Sequence, residues 1–180
     1  MSSDRLARIL APDYADGLAE LDLAEVRTRR TECQEVELGL SYARRLVQGR
    51  LDIIHAELER RARGDGPSDA GQIVDRLKEG EMLGDQARPP GFGRLPTLMA
   101  PDEASDEFSA EIDEVADAES LADLPELSDE VIGKLADQLT TLERSLSDRR
   151  RQVFDRIDAF QAEIVNRYKT GAADPDQLLA

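Results

Sequence analysis

Five polar residues in the stretch ELGLSYARRLVQGRLD, residues 37 to 52, have the groups needed to grip a flat, hydrogen-bonding ligand: Glu37, Ser41, Arg44, Gln48 and Asp52. At 100° per residue they fall in a stripe about 80° wide and roughly 22 Å long on one side of a helix. Arg offers a planar fork that matches phosphate oxygens or the O6 and N7 acceptors of guanine, and Asp accepts from guanine's N1 and N2 donors. Ser and Glu complete the hydrogen bonding, and Ser is small enough to let a ring approach the helix. Alone, such a stripe is equally an ordinary solvated face, because a chain with 34% charged residues must place charge somewhere.

The second half of the chain changes that balance. Laid over residues 143 to 167, an offset of 106, residues 37 to 61 show 11 identities in 25 positions. They include Glu37/Glu143, Ser41/Ser147, Arg44/Arg150 and Asp52/Asp158, four of the five stripe positions. The fifth pairs Gln48 with Phe154. Two copies of one helix, joined by a long linker, can pack antiparallel about a pseudo-dyad and bring both stripes onto one face. A two-fold face suits a two-fold ligand, and a cyclic dinucleotide of guanine has that symmetry together with the right donors and acceptors. Arg45 and Arg151, and Arg50 and Arg156, read as surface charges, one of them a candidate support for phosphate.

The spacing Glu37, Ser41, Arg44, Gln48, Asp52, or E(x3)S(x2)R(x3)Q(x3)D, resembles the signature of the RsiG family of actinomycete anti-sigma factors. The resemblance covers the two motif helices. It implies that both motifs bind cyclic di-GMP together, as a pair of intercalated molecules, and that the loaded protein captures a WhiG-type sporulation sigma factor and keeps it from RNA polymerase. It carries ligand-binding roles to Glu37, Ser41, Arg44, Gln48 and Asp52, and to Glu143, Ser147, Arg150 and Asp158. At Phe154 the pattern departs from the motif, and a ring there either stacks on a base or simply packs.

The elements that must position these residues are two long helices. Asp22 and Glu25 in DLAE have the spacing of a capping box, and the first helix can then run to Arg63, where Gly64 and the breaker-rich GDGPSD stop it. The second can start at Ser128, with Asp129 and Glu130 at the positive end of its dipole, and run to Thr170 before Gly171. Heptads place Val26, Cys33, Leu40, Val47 and Ile54 in one seam, and Leu139, Leu146, Val153 and Phe160 in the other. The partner seam positions begin with charges, Arg30, Glu37 and Arg44 in one helix and Glu143 and Arg150 in the other, which costs stability and calls for a reason. With no ligand, Arg44, Arg150, Asp52 and Asp158 are expected to crowd near the seam and strain the closed hairpin.

The fold expectation is therefore all-α: an antiparallel two-helix coiled coil, with long helices at about 22–63 and 128–170 forming one hairpin domain over 22–170. Residues 1–21 read as an N-terminal extension, 64–127 as the linker and 171–180 as a frayed tail. Within the linker, Ser68 is a candidate cap for a short helix carrying Ile73, Val74 and Leu77, followed by the proline-rich ARPPGFGRLPTLMAP. Thirteen Asp and Glu with no Lys or Arg fill 102 to 130. That run reads as a mobile solvated linker or, through Phe108, Ile112 and Val115 at helical spacing, as an acidic amphipathic helix that docks on a basic surface.

Composition sets the outer limits. The net charge of −16 disfavours direct contact with nucleic acid or an anionic membrane and favours a basic protein partner. A single cysteine, Cys33, excludes an internal disulfide and fits a reducing compartment; with no signal peptide or membrane-length apolar run, the expected location is the cytoplasm. The only histidine, His55, has no ligand set around it for a metal and no nucleophile beside it, so neither metal binding nor enzyme activity is expected. The chain is expected to be monomeric apart from its partner complex. The competing reading is a coiled-coil adaptor that binds a basic protein without any nucleotide.

Overall fold

The computed structural model describes residues 2–64 and 104–172, and within these the chain is helical with no strand. Two helices dominate, α2 (Leu23–Arg63), following the short α1 (Ser2–Leu10), and, near the end of the chain, a helix spanning Asp129–Thr170. Their 41 and 42 residues give rods of roughly 62 Å each. Between them come α3 (Ala104–Ala116) and α4 (Ala118–Ala122), so the last long helix is α5. Short 3-10 turns at Pro12–Ala15 and Leu124–Glu126 lead towards the two long helices.

The long helices begin and end where local chemistry dictates. Asp22 accepts from the backbone N–H of Glu25 at 2.7 Å, and Ser128 accepts from that of Val131 at 3.4 Å. Gly64 and Gly171 close the C-termini with φ of 75° and 72°, a left-handed conformation that glycine adopts without steric cost. Arg60, Arg61 and Arg63, and Arg167 and Lys169, sit in the last turns, where the dipole favours cations.

The helices pack antiparallel along their length. Val26, Cys33, Leu40, Val47 and Ile54 from α2 are fully buried, as are Leu139, Leu146, Val153 and Phe160 from α5, so the expected seam is the core. Burial of the Cys33 thiol raises its pKa from the ordinary 9.0 to about 11.

The rest of the body packs on this hairpin in ways that composition conceals. In the N-terminal stretch, α1 buries Leu6 and Ile9, and Tyr14 packs edge-on to Phe160 with centroids 5.8 Å apart. Tyr14 donates its hydroxyl to Glu32 at 2.7 Å, and Arg5 and Arg8 also bond Glu32, so α1 is tied to α2.

The acidic run also differs from a solvated linker where it is described. Phe108 and Ile112 are buried and Val115 packs against the core, so α3 lays its apolar face on α2 and α5 of its own chain. Its carboxylates meet cations of the long helices: Asp113 pairs with Arg50 at 2.5 Å, and Glu111 pairs with Arg149 at 2.9 Å. The apolar spacing singled out a docking helix correctly, but the surface it docks on is internal. The expected helix after Ser68, the proline-rich segment and most of the tail lie outside the described residues.

Candidate functional site

A two-helix hairpin has two broad faces, and here they differ. Taking Gly39 as zero, Ala43, Leu46, Arg50 and Ile53 of α2 lie within about 40° of it, while Glu37, Ser41, Arg44, Gln48 and Asp52 centre about 180° away. Gly39, Ala43 and Ile53 are buried and Arg50 is bonded to α3, so the short helices cover that first face. The stripe occupies the opposite face, where Gln48, Asp52, Phe154 and Asp158 are all exposed.

At the centre of the open face the repeated groups exchange partners. Arg44 donates to Glu143 at 3.3 Å, and Arg150 donates to Glu37 at 2.8 Å. Ser41 donates to Glu37 at 2.6 Å, and Ser147 to Glu143 at 3.1 Å. Each arginine thus pairs with the glutamate of the other helix, the reciprocity that a two-fold axis imposes, with the axis beside Ser41 and Ser147. Arg44 and Arg150 are on one face and bound into one network.

This also explains the charges in the seam register, and it corrects the expectation of strain. Of the seam-edge charges, Glu37, Arg44, Glu143 and Arg150 meet opposites across the pseudo-dyad, and Asp52 and Asp158 stand apart at the ends of the stripe, so no like-charge crowding results. The four paired side chains keep between 18% and 34% of their exposure, which leaves them reachable by a ligand.

Phe154 breaks the symmetry. Its ring is 37% exposed, and the Arg150 guanidinium sits 4.7 Å from its centroid. Gln48, its counterpart, is simply exposed. A second asymmetric feature is Arg30, which the heptad marked as a seam charge but not as part of the stripe: on the same face it donates through Nη1 to Gln161 at 2.8 Å, while its buried Nε has no partner among the described residues. The residue equivalent to Arg30 in the other copy is Ala136, so the repeat alone could not point to it.

Identities on the covered face have structural duties. Arg50 donates to the carbonyl of Ala116 at the end of α3, and its counterpart Arg156 donates to the carbonyl of Ala11, just past α1. Glu57 is buried and bonded by Arg61, which also donates to the carbonyls of Leu124, Pro125 and Leu127. Equivalently, Glu163 holds Arg167, which donates to the carbonyl of Leu18. Each long helix therefore grips the segment that leads into the other. Arg50 and Arg156, read as surface charges, are braces. Arg45 and Arg151 are exposed on the flank of the stripe and have no partner among the described residues.

Fold and site together define an all-α hairpin built from two copies of one unit, with one braced face and one open polar face. The RsiG-like family model matches residues 12–81 and 118–180, two stretches that begin 106 residues apart, the offset of the repeat. The chain belongs to the RsiG-like family, which sets it in an anti-sigma-factor-type role with a sigma factor as its general class of partner. No curated protein matches the chain. Among the described residues no helix is long and apolar enough to cross a membrane.

Proposed function

We propose that the open face binds cyclic di-GMP and that the loaded hairpin sequesters a WhiG-type sporulation sigma factor from RNA polymerase. The observation that carries this reading is the reciprocal pairing of Arg44 with Glu143 and Arg150 with Glu37 on a face that the short helices leave uncovered.

The energetics favour exchange. Partly exposed ion pairs of this kind contribute about 0 to 1 kcal/mol each, whereas a bidentate arginine–guanine contact discriminates by about 1 to 3 kcal/mol. Arg44, which spends a terminal nitrogen on Glu143, can therefore leave it for guanine O6 and N7 with a net gain, whereas Arg150, held through Nε, keeps its terminal nitrogens for the same acceptors. Asp52 and Asp158, exposed and one turn beyond the Gln48 and Phe154 positions, accept from guanine N1 and N2. Arg45 and Arg151 supply positive charge beside the ring phosphates. The chain's own residues do no bond chemistry in this scheme; they bind and hold.

A ligand bridging α2 and α5 fixes the register of the two helices. A sigma factor that recognises only that register must raise nucleotide affinity by the same factor by which nucleotide raises sigma affinity. The test is capture of a purified WhiG-type sigma factor by the immobilised full chain. Retention only with cyclic di-GMP present is the expected result; equal retention with and without it favours the nucleotide-independent adaptor.

A further inference from the structure

The two halves of the open face are not equivalent, and the difference has a direction. At one end of the pseudo-dyad, Arg150 is held twice through Nε, by Glu37 at 2.8 Å and by Ser41 at 2.7 Å, and its guanidinium lies against the Phe154 ring. The same end carries Arg30, with a buried Nε lacking a partner among the described residues. At the other end, Arg44 makes one longer contact, 3.3 Å to Glu143, with Gln48 in place of the ring and Ala136 in place of Arg30.

We propose that these half-sites fill in order. The half formed by Arg30, Glu37, Arg150 and Phe154 takes the first cyclic di-GMP molecule through one of its guanines, and the half formed by Arg44, Gln48, Glu143 and Asp52 takes the second molecule. This rests on the nucleotide reading above and deepens it. The Arg150 guanidinium is already oriented, because Nε is fixed by two acceptors and one flat side is backed by an aromatic ring, so little side-chain freedom remains to be lost on binding. Its terminal nitrogens stay available to guanine O6 and N7. The exposed part of the Phe154 ring offers a surface on which a purine can stack, and Arg30 adds a second cation on the same face. Arg44 must be ordered as the ligand arrives. Phe154 is then the main source of the grading between the two halves, with Arg30 adding to it.

The test is a double-mutant cycle on the full chain, with stepwise constants for cyclic di-GMP from calorimetry. Arg150→Lys should weaken the first step about tenfold, and Arg44→Lys should leave it within about twofold while weakening the second. Phe154→Gln installs the residue of the other copy, and there the two lysine variants should differ by less than about twofold. A merely structural role for Phe154 would shift all variants alike and leave their ratio unchanged. Phe154→Leu, which keeps the apolar volume without the ring, should behave as Phe154→Gln does. Equal effects of Arg44→Lys and Arg150→Lys in the native chain, or a ratio that survives Phe154→Gln, would overturn ordered filling while leaving nucleotide binding intact. No binding by the native chain would overturn both.

Discussion

The two faces of the hairpin use the same kind of residue for opposite ends. On the covered face, repeated arginines and glutamates are buried or bonded to backbone: Arg50 and Arg156 cap the segments after α3 and α1, and Glu57–Arg61 and Glu163–Arg167 hold the segments leading into the opposite helices. On the open face, repeated charges meet one another, neighbouring side chains of the stripe, or solvent, and none is bonded to backbone among the described residues. Where identity between copies is explained by packing, nothing further is required of it. Where Asp52 and Asp158 or Arg45 and Arg151 are identical yet exposed, packing gives no reason, and the proposed ligand, touching both copies, would supply one.

The sharpest contrast between the faces is in stability. Glu57 has 1% of its side chain exposed, and Glu57→Ala removes the anion that gathers Arg60 and Arg61, so it should cost about 3 kcal/mol in urea unfolding. Arg45→Ala, on the open face, should change stability by less than about 0.5 kcal/mol. Comparable losses from both would erase the distinction between braced and open faces.

A smaller effect should appear with pH at the end tied down by α1. Burial pushes the Cys33 thiol from 9.0 to about 11, and burial and the hydrogen bond to Glu32 push Tyr14 up as well. Both groups are neutral when protonated, and the folded chain binds their protons more tightly than the unfolded one. The Cys33 contribution is thus complete below pH 9 and is lost as pH rises from 9 towards 11, and that of Tyr14 starts to fall only from its ordinary 10.0 upwards. Thermal melts should show that alkaline decline, and Cys33→Ala should reduce its slope; a flat profile to pH 11 would contradict the burial of these groups.

Much of this was legible in the sequence because it is local. Asp22, Gly64, Ser128 and Gly171 set the ends of the long helices through caps and a left-handed turn, which need no knowledge of the fold. The seam followed from a seven-residue period, and the stripe from a helical angle. The unread parts are tertiary. The acidic run looked solvated because its neutralising cations, Arg50 and Arg149, come from remote helices. Arg50 and Arg156 looked like surface charges because their acceptors are backbone carbonyls, which no composition reveals. Arg30 was invisible to the repeat, since its equivalent is Ala136. Likewise, the strain expected among the stripe charges dissolved once the partners across the dyad were known.

The repeat in fact extends further than the motif. Leu18, Glu20 and Leu21 recur as Leu124, Glu126 and Leu127 at the same offset, so the copied unit includes the segment leading into each long helix. That explains why the gripping arginines, Arg61 and Arg167, find equivalent acceptors.

The central claim is that the open face is a guanine-binding cradle shared by both copies, and calorimetric titration of cyclic di-GMP into the chain carrying both Asp52→Ala and Asp158→Ala tests it most directly beside the native protein. The account predicts measurable heat for the native chain and a loss of about 1 to 3 kcal/mol of affinity per lost carboxylate in the variant, with helicity unchanged. Native-like binding by the double variant, or no heat from the native chain, would contradict it.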